Sequence, residues 1–285
     1  MKNVTLIFVL LVQTVAIFGD NYALPVGEGD KERLFIQSNL CLPGTQDFLE
    51  KCAIAPGSRV LEIGCGLGLC AQLFARMVGE KGLVLATDIS AEQLTLAQKL
   101  VAPAVKNISF KQLSVYDLPS LPEKFDVIYL RFVLCHLLDP AAVLALMKSA
   151  LKPGGKIIIE DITGNDTIMS VPHTQAMGYV KKFDKLQFEL EASDDSYFDK
   201  LPILLAVNGL SIRLLSRTHA KLDTPQKRSL LSLQLTSLRD ALIEAGKITQ
   251  EDYQQMHAAV KKFEKTDTDA FFYEIGQICC TVAVR

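Results

Sequence analysis

A chain of 285 residues, 49% of them hydrophobic, can bury a sizeable folded core, which excludes disorder as its main state. With 30 Lys and Arg against 32 Asp and Glu the formal net charge is −2, so there is no excess positive field to grip a phosphate backbone, and nucleic acid is excluded as a partner. Seven cysteines, an odd number set in apolar stretches without Cys-x-x-Cys spacing, read as reduced core thiols, and the scattered His136, His173, His219 and His257 leave no metal-ligand spacing.

The chain opens on Lys2 and an uncharged run, Asn3 to Gly19, that stops at Asp20. A basic start, an apolar stretch and a terminal small residue have the layout of a signal peptide, whereas Gln13, Thr14 and the shortness of the run argue against a membrane span. The competing reading is a buried N-terminal extension. In either case the fold is expected to begin near Asn21, and membrane association would be confined to residues 3–19.

Residues 21–57 are expected to form an N-terminal helical cap. From Arg59 onward, apolar runs rich in Val, Ile and Leu alternate with helical patterns, the mark of βαβ units around a parallel sheet. Strands are predicted over 58–63, 82–88, 107–113, 125–131 and 154–161, and helices over about 69–79, 91–102 and 140–150. Ser90, with Glu92 close behind, caps the second helix; Leu151-Lys152-Pro153-Gly154-Gly155 stops the third. After a polar loop from Thr163 to Thr167 come helical stretches through Leu190 and from Tyr197 to Asn208, then a strand at about 210–219. A helical pair over about 224–262 reads as an insertion before the final strand, Phe271 to Val284; it would cover the ligand crevice or form a homodimer face.

The segment Val60-Leu61-Glu62-Ile63-Gly64-Cys65-Gly66-Leu67-Gly68 is a buried strand running through a glycine turn into a helix, and Asp88 ends the next strand. In an open α/β sheet such a strand end receives nucleotide-like ligands, because bare backbone lets the ligand approach and the acid accepts hydrogen bonds from ribose hydroxyls. A pyrophosphate would want donors and positive dipole there, yet Leu69 stands where dinucleotide sites carry a third glycine, and Glu62 adds a carboxylate that repels phosphate. S-adenosylmethionine fits that charge pattern, having ribose and adenine, no phosphate, an ammonium and a sulfonium.

Glu62 to Gly68, Thr87-Asp88-Ile89-Ser90, Phe125-Asp126-Val127-Ile128-Tyr129 and Leu151 to Gly155 together resemble the successive motifs of the class I S-adenosylmethionine-dependent methyltransferases. Within that family the chain is similar to the small-molecule branch that includes the ubiquinone and menaquinone C-methyltransferases. The resemblance implies a doubly wound, Rossmann-like seven-stranded sheet whose last strand runs antiparallel beside strand six. It also implies that Gly64, Gly66 and Gly68 line the methionine part, that Glu62 steers its ammonium with the Leu130 carbonyl, that Asp88 holds the ribose and that Ile89 packs on adenine. Where the family often has an acid for the adenine amino group, this chain has Ser114 beside Val115, with Asp117 as a capping or loop residue.

Methyl transfer from a sulfonium is an in-line displacement, so positioning of a small organic acceptor carries much of the catalysis, and a base is needed only if the acceptor must lose a proton. Arg131, Asp161 and His173 are the candidate acceptor-binding residues, no catalytic base being assigned. Arg131 would bind an anionic acceptor or pair with an acid such as Asp161. Asp161 is expected to face the crevice and Glu160 to point away, while His136 is weighed between a structural bond and a base. His173 and Tyr179 would wall the pocket or lie on the surface, and Cys279-Cys280 reads as core. The alternatives are a non-catalytic S-adenosylmethionine-binding module, a nucleotide-linked oxidoreductase, and a thiolate-assisted arsenite methyltransferase using Cys65, Cys70 and Cys135. The donor is cytosolic, so the expected compartment is the cytoplasm, with export or membrane attachment through the N-terminal run as the alternative.

Overall fold

The strand pattern of the middle of the chain, a near-continuous apolar run at each step, is what a sheet covered on both faces requires. The computed structural model describes residues 24–101, 105–137, 139–164, 169–191 and 197–283; the N-terminal run of residues 1–20 lies outside them. In chain order the elements are α1 (Lys31–Lys51), β1 (Arg59–Ile63), α2 (Leu69–Val78), β2 (Leu83–Asp88), α3 (Ala91–Val101), β3 (Ile108–Gln112), β4 (Phe125–Arg131) and α4 (Pro140–Ala150). There follow β5 (Leu151–Ile162), β6 (Met169–Val171), α5 (Gln175–Glu191), α6 (Leu201–Val207), β7 (Leu210–Lys221), α7 (Pro225–Glu244), α8 (Gln250–Phe263) and β8 (Asp269–Val282). Among the described helices none is long and apolar enough to cross a membrane.

Strands β3, β2, β1, β4 and β5 pair in that order, all parallel. β8 runs antiparallel between β5 and β7, as expected of the last strand and the strand before it. The three-residue β6 is the addition to the seven expected strands: Phe271 of β8 pairs with Lys221 on one side and Met169 on the other, so β6 prolongs the edge that β5 occupies. The order reverses between β1 and β4, which is where an open α/β sheet leaves its crevice.

Alternation assigns the two faces. Val60, Val84, Val127, Tyr129 and Ile158 pack with Phe74 and Ala71 of α2 and Phe48 of α1. Leu61, Ile128, Leu130, Ile157 and Ile159 pack with Val143, Leu144 and Met147 of α4 and continue into the helical pair through Leu231 and Leu235. Helix starts follow local chemistry. Asp139 accepts from the Ala142 amide at 3.0 Å with Pro140 at the first position, Thr224 accepts from Lys227 at 3.2 Å ahead of Pro225, and Thr249 and Asp252 form a reciprocal capping box.

Phe198 lies directly over Gly276 of β8, so that a Cβ on this glycine would overlap its ring. Gly276→Ala is expected to cost about 1–3 kcal/mol of stability through overpacking. By contrast Gly178→Ala, in α5 with nothing within 4 Å of its Cβ position, leaves stability unchanged or slightly raised. Thermal melts of the two variants side by side check this, and equal melting points would refute the close contact.

Candidate functional site

After β1 the chain turns through Gly64, Gly66 and Gly68 at φ of +66°, +51° and +74°, a region that glycine enters without a Cβ penalty. The three glycines do different things. A Cβ on Gly64 would come within 2.5 Å of Val133, and one on Gly68 would press on Val101, Ala97 and Phe110 at 3.2–3.4 Å. Only Gly66 has open space before it, with nothing within 4 Å. Asp88 at the end of β2 fixes this turn: its Oδ2 accepts from the Gly66 amide at 2.9 Å and its Oδ1 from the Ser90 amide at 3.0 Å. Each carboxylate oxygen keeps further acceptor capacity. Burial raises the Asp88 carboxyl above its ordinary range, opposed by the amides of Ser90, Gly66 and Ile89.

The turn forms one wall of a cavity of about 240 Å3. Of the predicted residues, Glu62, Gly64, Gly66, Asp88, Ile89, Ser114, Val115 and Arg131 line it. Ile89 is 60% exposed, an apolar side chain left open at the rim. Ser114 starts a short 3-10 helix, Val115–Ser120, its hydroxyl accepting from the Tyr116 amide at 3.3 Å, and Asp117 is exposed in that helix. Glu62 is the least ordinary group. It is buried, and its Oε2 has no hydrogen-bond partner. Burial pushes its carboxyl up to about 8; the Arg131 guanidinium pulls the other way, and Asp88 adds to the rise. A buried carboxylate oxygen without a donor, facing a bare-backbone cradle and a hydroxyl-accepting acid, suits a cationic ligand with a ribose. A pyrophosphate does not suit it.

Four predicted residues are not in this wall. Gly68 is spent on packing α2 against α3 and β3. Leu130 is fully buried within the sheet, in register with Ile63 and Ile159, and the cavity takes Arg131, Phe132 and Val133 in its place. Asp161 is fully buried and accepts from the Cys135 and Ile162 amides at 3.3 and 2.9 Å, so it anchors the turn after β4 instead of facing the cavity. His173 is exposed ahead of α5, and Tyr179 of α5, half-buried, accepts from Gln175 at 3.0 Å. Glu160 does point away from Asp161: it accepts from the Tyr129 hydroxyl at 2.5 Å and from Gln277 at 2.6 Å. Arg131 donates to Thr45 at 3.0 Å and lies over the Phe132 ring at 5.6 Å; of the two alternatives, the pair with Asp161 is not formed.

A second, smaller cavity of about 50 Å3 adjoins the first, sharing Leu24, Arg33, Gln37, Phe132 and His136 with it and adding Gln187 of α5, Gln234 of α7 and Tyr273 of β8. His136 is held here by a 2.8 Å contact from Nδ1 to Oε2 of buried Glu191, whose Oε1 accepts from Gln187 at 3.2 Å. Sequence reasoning missed the contribution of α1, where Arg33, Leu34, Gln37 and Ser38 face the first cavity. It also missed Phe132, a non-glycine residue at φ +56° between the two spaces. Among the described residues no three His, Cys, Asp or Glu side chains converge as a metal site.

Residues 54–200 match the family model described as a methyltransferase domain. The ubiquinone/menaquinone biosynthesis C-methyltransferase UbiE of Vibrio vulnificus is 35% identical over 106 residues, 36% of this chain and 41% of that protein. The protein of the same name from Cellvibrio japonicus is 31% identical over 144 residues, 50% of this chain and 54% of that one. The chain therefore spans about half of the length of these relatives. The cyclopropane synthase MmaA2 from Mycobacterium tuberculosis superposes with a TM-score of 0.54 at 16% identity, covering 83% of this chain and 82% of that one, which establishes likeness of fold alone.

The Glu62 carboxyl yields a stability prediction. Its pKa stands at about 8 in the folded protein against an ordinary 4.5, so between these values the folded state holds the extra proton and stability falls as pH rises. Glu62→Gln removes that slope. In thermal melts without ligand the variant should gain on the parent as pH climbs through this window, by a few degrees at its upper end; parallel curves would refute it.

Proposed function

Because the chain belongs to the methyltransferase-domain family, we propose that it is an S-adenosylmethionine-dependent methyltransferase acting by in-line displacement on a small organic acceptor. The observation that carries the donor assignment is the partnerless, buried Oε2 of Glu62 in the wall of the glycine-turn cavity. When bound, S-adenosylmethionine supplies a methyl group on a positively charged sulfur.

Glu62 would meet the ammonium of the donor, with the open space before Gly66 leaving room for its methionine part and Gly64 lining it. The two oxygens of Asp88, already engaged by backbone amides that include those of Gly66 and Ser90, would accept the ribose hydroxyls. Ile89 and Val115 would pack on adenine, and Ser114 would read its edge. Arg131 would hold an anionic part of the acceptor. The helical cap of residues 21–57 would close the donor cavity, in keeping with the place of Arg33 and Gln37 in its wall. By keeping water out and fixing the angle of approach, these residues supply the part of catalysis that comes from orientation. Thiolate assistance is disfavoured because burial pushes the Cys70 thiol up to about 12 and raises Cys65 and Cys135 well above the usual thiol range. We place the enzyme in the cytoplasm with its donor; a native N-terminus near Asp20 would overturn that placement.

Titration calorimetry against S-adenosylmethionine, S-adenosylhomocysteine and NAD should give binding of the first two only, and binding of NAD alone would overturn the reading. Asp88→Ala should weaken the donor about 10²-fold, the loss of charged hydrogen bonds to two hydroxyls. A fold check by melting accompanies that variant, because Asp88 also holds the turn. A cation favours ionised Glu62, so donor affinity should rise with pH up to about 8 and level off above it.

A further inference from the structure

Two of the seven cysteines, far apart in sequence, meet beneath α1. Cys52 caps the C-terminal end of α1, and Cys279 lies on β8 between Ile158 of β5 and Leu214 of β7. Both pack with Phe48, Val127 and Ile158 in the cluster that joins α1 and α2 to the sheet, so Cys279 points to the face that α1 covers. There the Cys52 thiol and the Cys279 sulfur share a hydrogen bond. Lys156, two positions before Ile158 and on the same face of β5, closes the group: its Nζ donates to the Cys52 carbonyl and, at 2.8 Å, to that of Ala53. The bond from Cys52 and the Lys156 ammonium hold Cys279 below the usual thiol range, while that same bond and burial raise Cys52. Cys280, the next residue, packs on the other face of the sheet, and burial pushes its thiol up to about 12. Cys52 and Cys279 are 3% and 2% exposed, yet Lys51 and Ala53 on either side of Cys52 are open to solvent, so the pair lies one residue below the surface. Only a small reagent reaches it.

We propose that Cys52 and Cys279 form a peroxide-responsive pair that closes to a disulfide and staples the end of α1 to β8. Hydrogen peroxide is the oxidant, and Cys279 is the thiol it meets first. The Cys279 thiolate attacks one peroxide oxygen, the O–O bond breaks, the sulfur keeps a hydroxyl as sulfenic acid, and the hydroxide released takes the proton that the thiol gave up. Cys52 sulfur then attacks that sulfur; the S–S bond forms, the S–O bond breaks, and the Cys52 proton leaves with the hydroxyl as water. Two thiols and one peroxide thus become one disulfide and two waters, the sulfurs being oxidised and the peroxide oxygens reduced. Because the thiols already touch, the bridge forms without displacing α1, and it acts chiefly by closing a loop of most of the protein in the unfolded chain. The helix so secured carries Arg33, Gln37 and Ser38 in the wall of the larger cavity and Thr45 against Arg131. In a reducing compartment the bridge is transient, made under peroxide and reopened by dithiols.

The test treats the folded full chain with a small excess of hydrogen peroxide, alkylates the remaining thiols and maps its peptides without reduction. The expected product is a Cys52–Cys279 cross-link that dithiothreitol reopens to two thiols. A chain that forms no bridge, or whose first bridge joins other cysteines, would overturn the proposal. The bridged chain should melt about 5 °C or more above the reduced one, and equal melting points would remove the stapling role. Two variants fix the order of events with dimedone, which labels sulfenic acids. Cys52→Ala, deprived of the resolving thiol, should carry the label on Cys279, whereas Cys279→Ala should leave Cys52 unlabelled; the reverse pattern would overturn the assignment of Cys279 as the thiol attacked. The peptide map needs no variant, so a substitution that spoils folding leaves the main outcome readable.

Discussion

The contact between the Asp88 carboxylate and the Gly66 amide, 2.9 Å long, ties the end of β2 to the turn leaving β1. It joins two backbone bonds, from the Cys65 amide to the Thr87 carbonyl at 2.9 Å and from the Gly68 amide to the Cys65 carbonyl at 2.8 Å, in ordering a turn whose three alternate glycines cost more backbone entropy to fix than other residues would. The same carboxylate binds the Ser90 amide and so also starts α3, where Ser90 caps Gln93 at 3.2 Å. One acid thus sets the distance between two strand ends, opens a helix and still presents acceptor capacity to the cavity. The partnerless oxygen of Glu62 is tolerable only in such a frame, since a loose turn would let water or a backbone amide reach it.

The parallel part of the fold was legible because its signals are local. Apolar runs such as Val60 to Ile63 and Val127 to Leu130, capped helices and the Pro153-Gly154 break each announce themselves within a few residues, and the structure keeps every one of those strands within three residues of its expected start. The direction of the last strand came with the family resemblance. β6 had no signal of its own: three residues cannot show a period, and they are ordered by pairing with Ala270 and Phe271 a hundred positions away in the chain.

The donor-side wall was legible for the same reason of locality, because most of it comes from strand ends with small or acidic residues. The exceptions are instructive. Gly68 has the spacing of a ligand-binding glycine and spends its missing Cβ on Ala97 and Val101 instead. Asp161 has the place of a rim acid, yet two backbone amides claim it. The neighbourhood of His136 was out of reach. Its partner lies 55 positions on, and the amides and rings beside it come from α1, α5, α7 and β8, so only the folded chain brings them together.

The division of labour between segments follows from where the helical pair enters. α7 and α8 are inserted between β7 and β8, and the pair reaches the smaller cavity through Gln234, while the larger cavity is built from residues before position 138. Drift in the inserted helices therefore reshapes the smaller compartment directly and reaches the larger one through α1, where Ser237 of α7 donates to Asp30, the partner of Arg33. A chain built this way can change what it modifies by exchanging a contiguous stretch of sequence, which makes the insertion the natural unit for grafting between homologues.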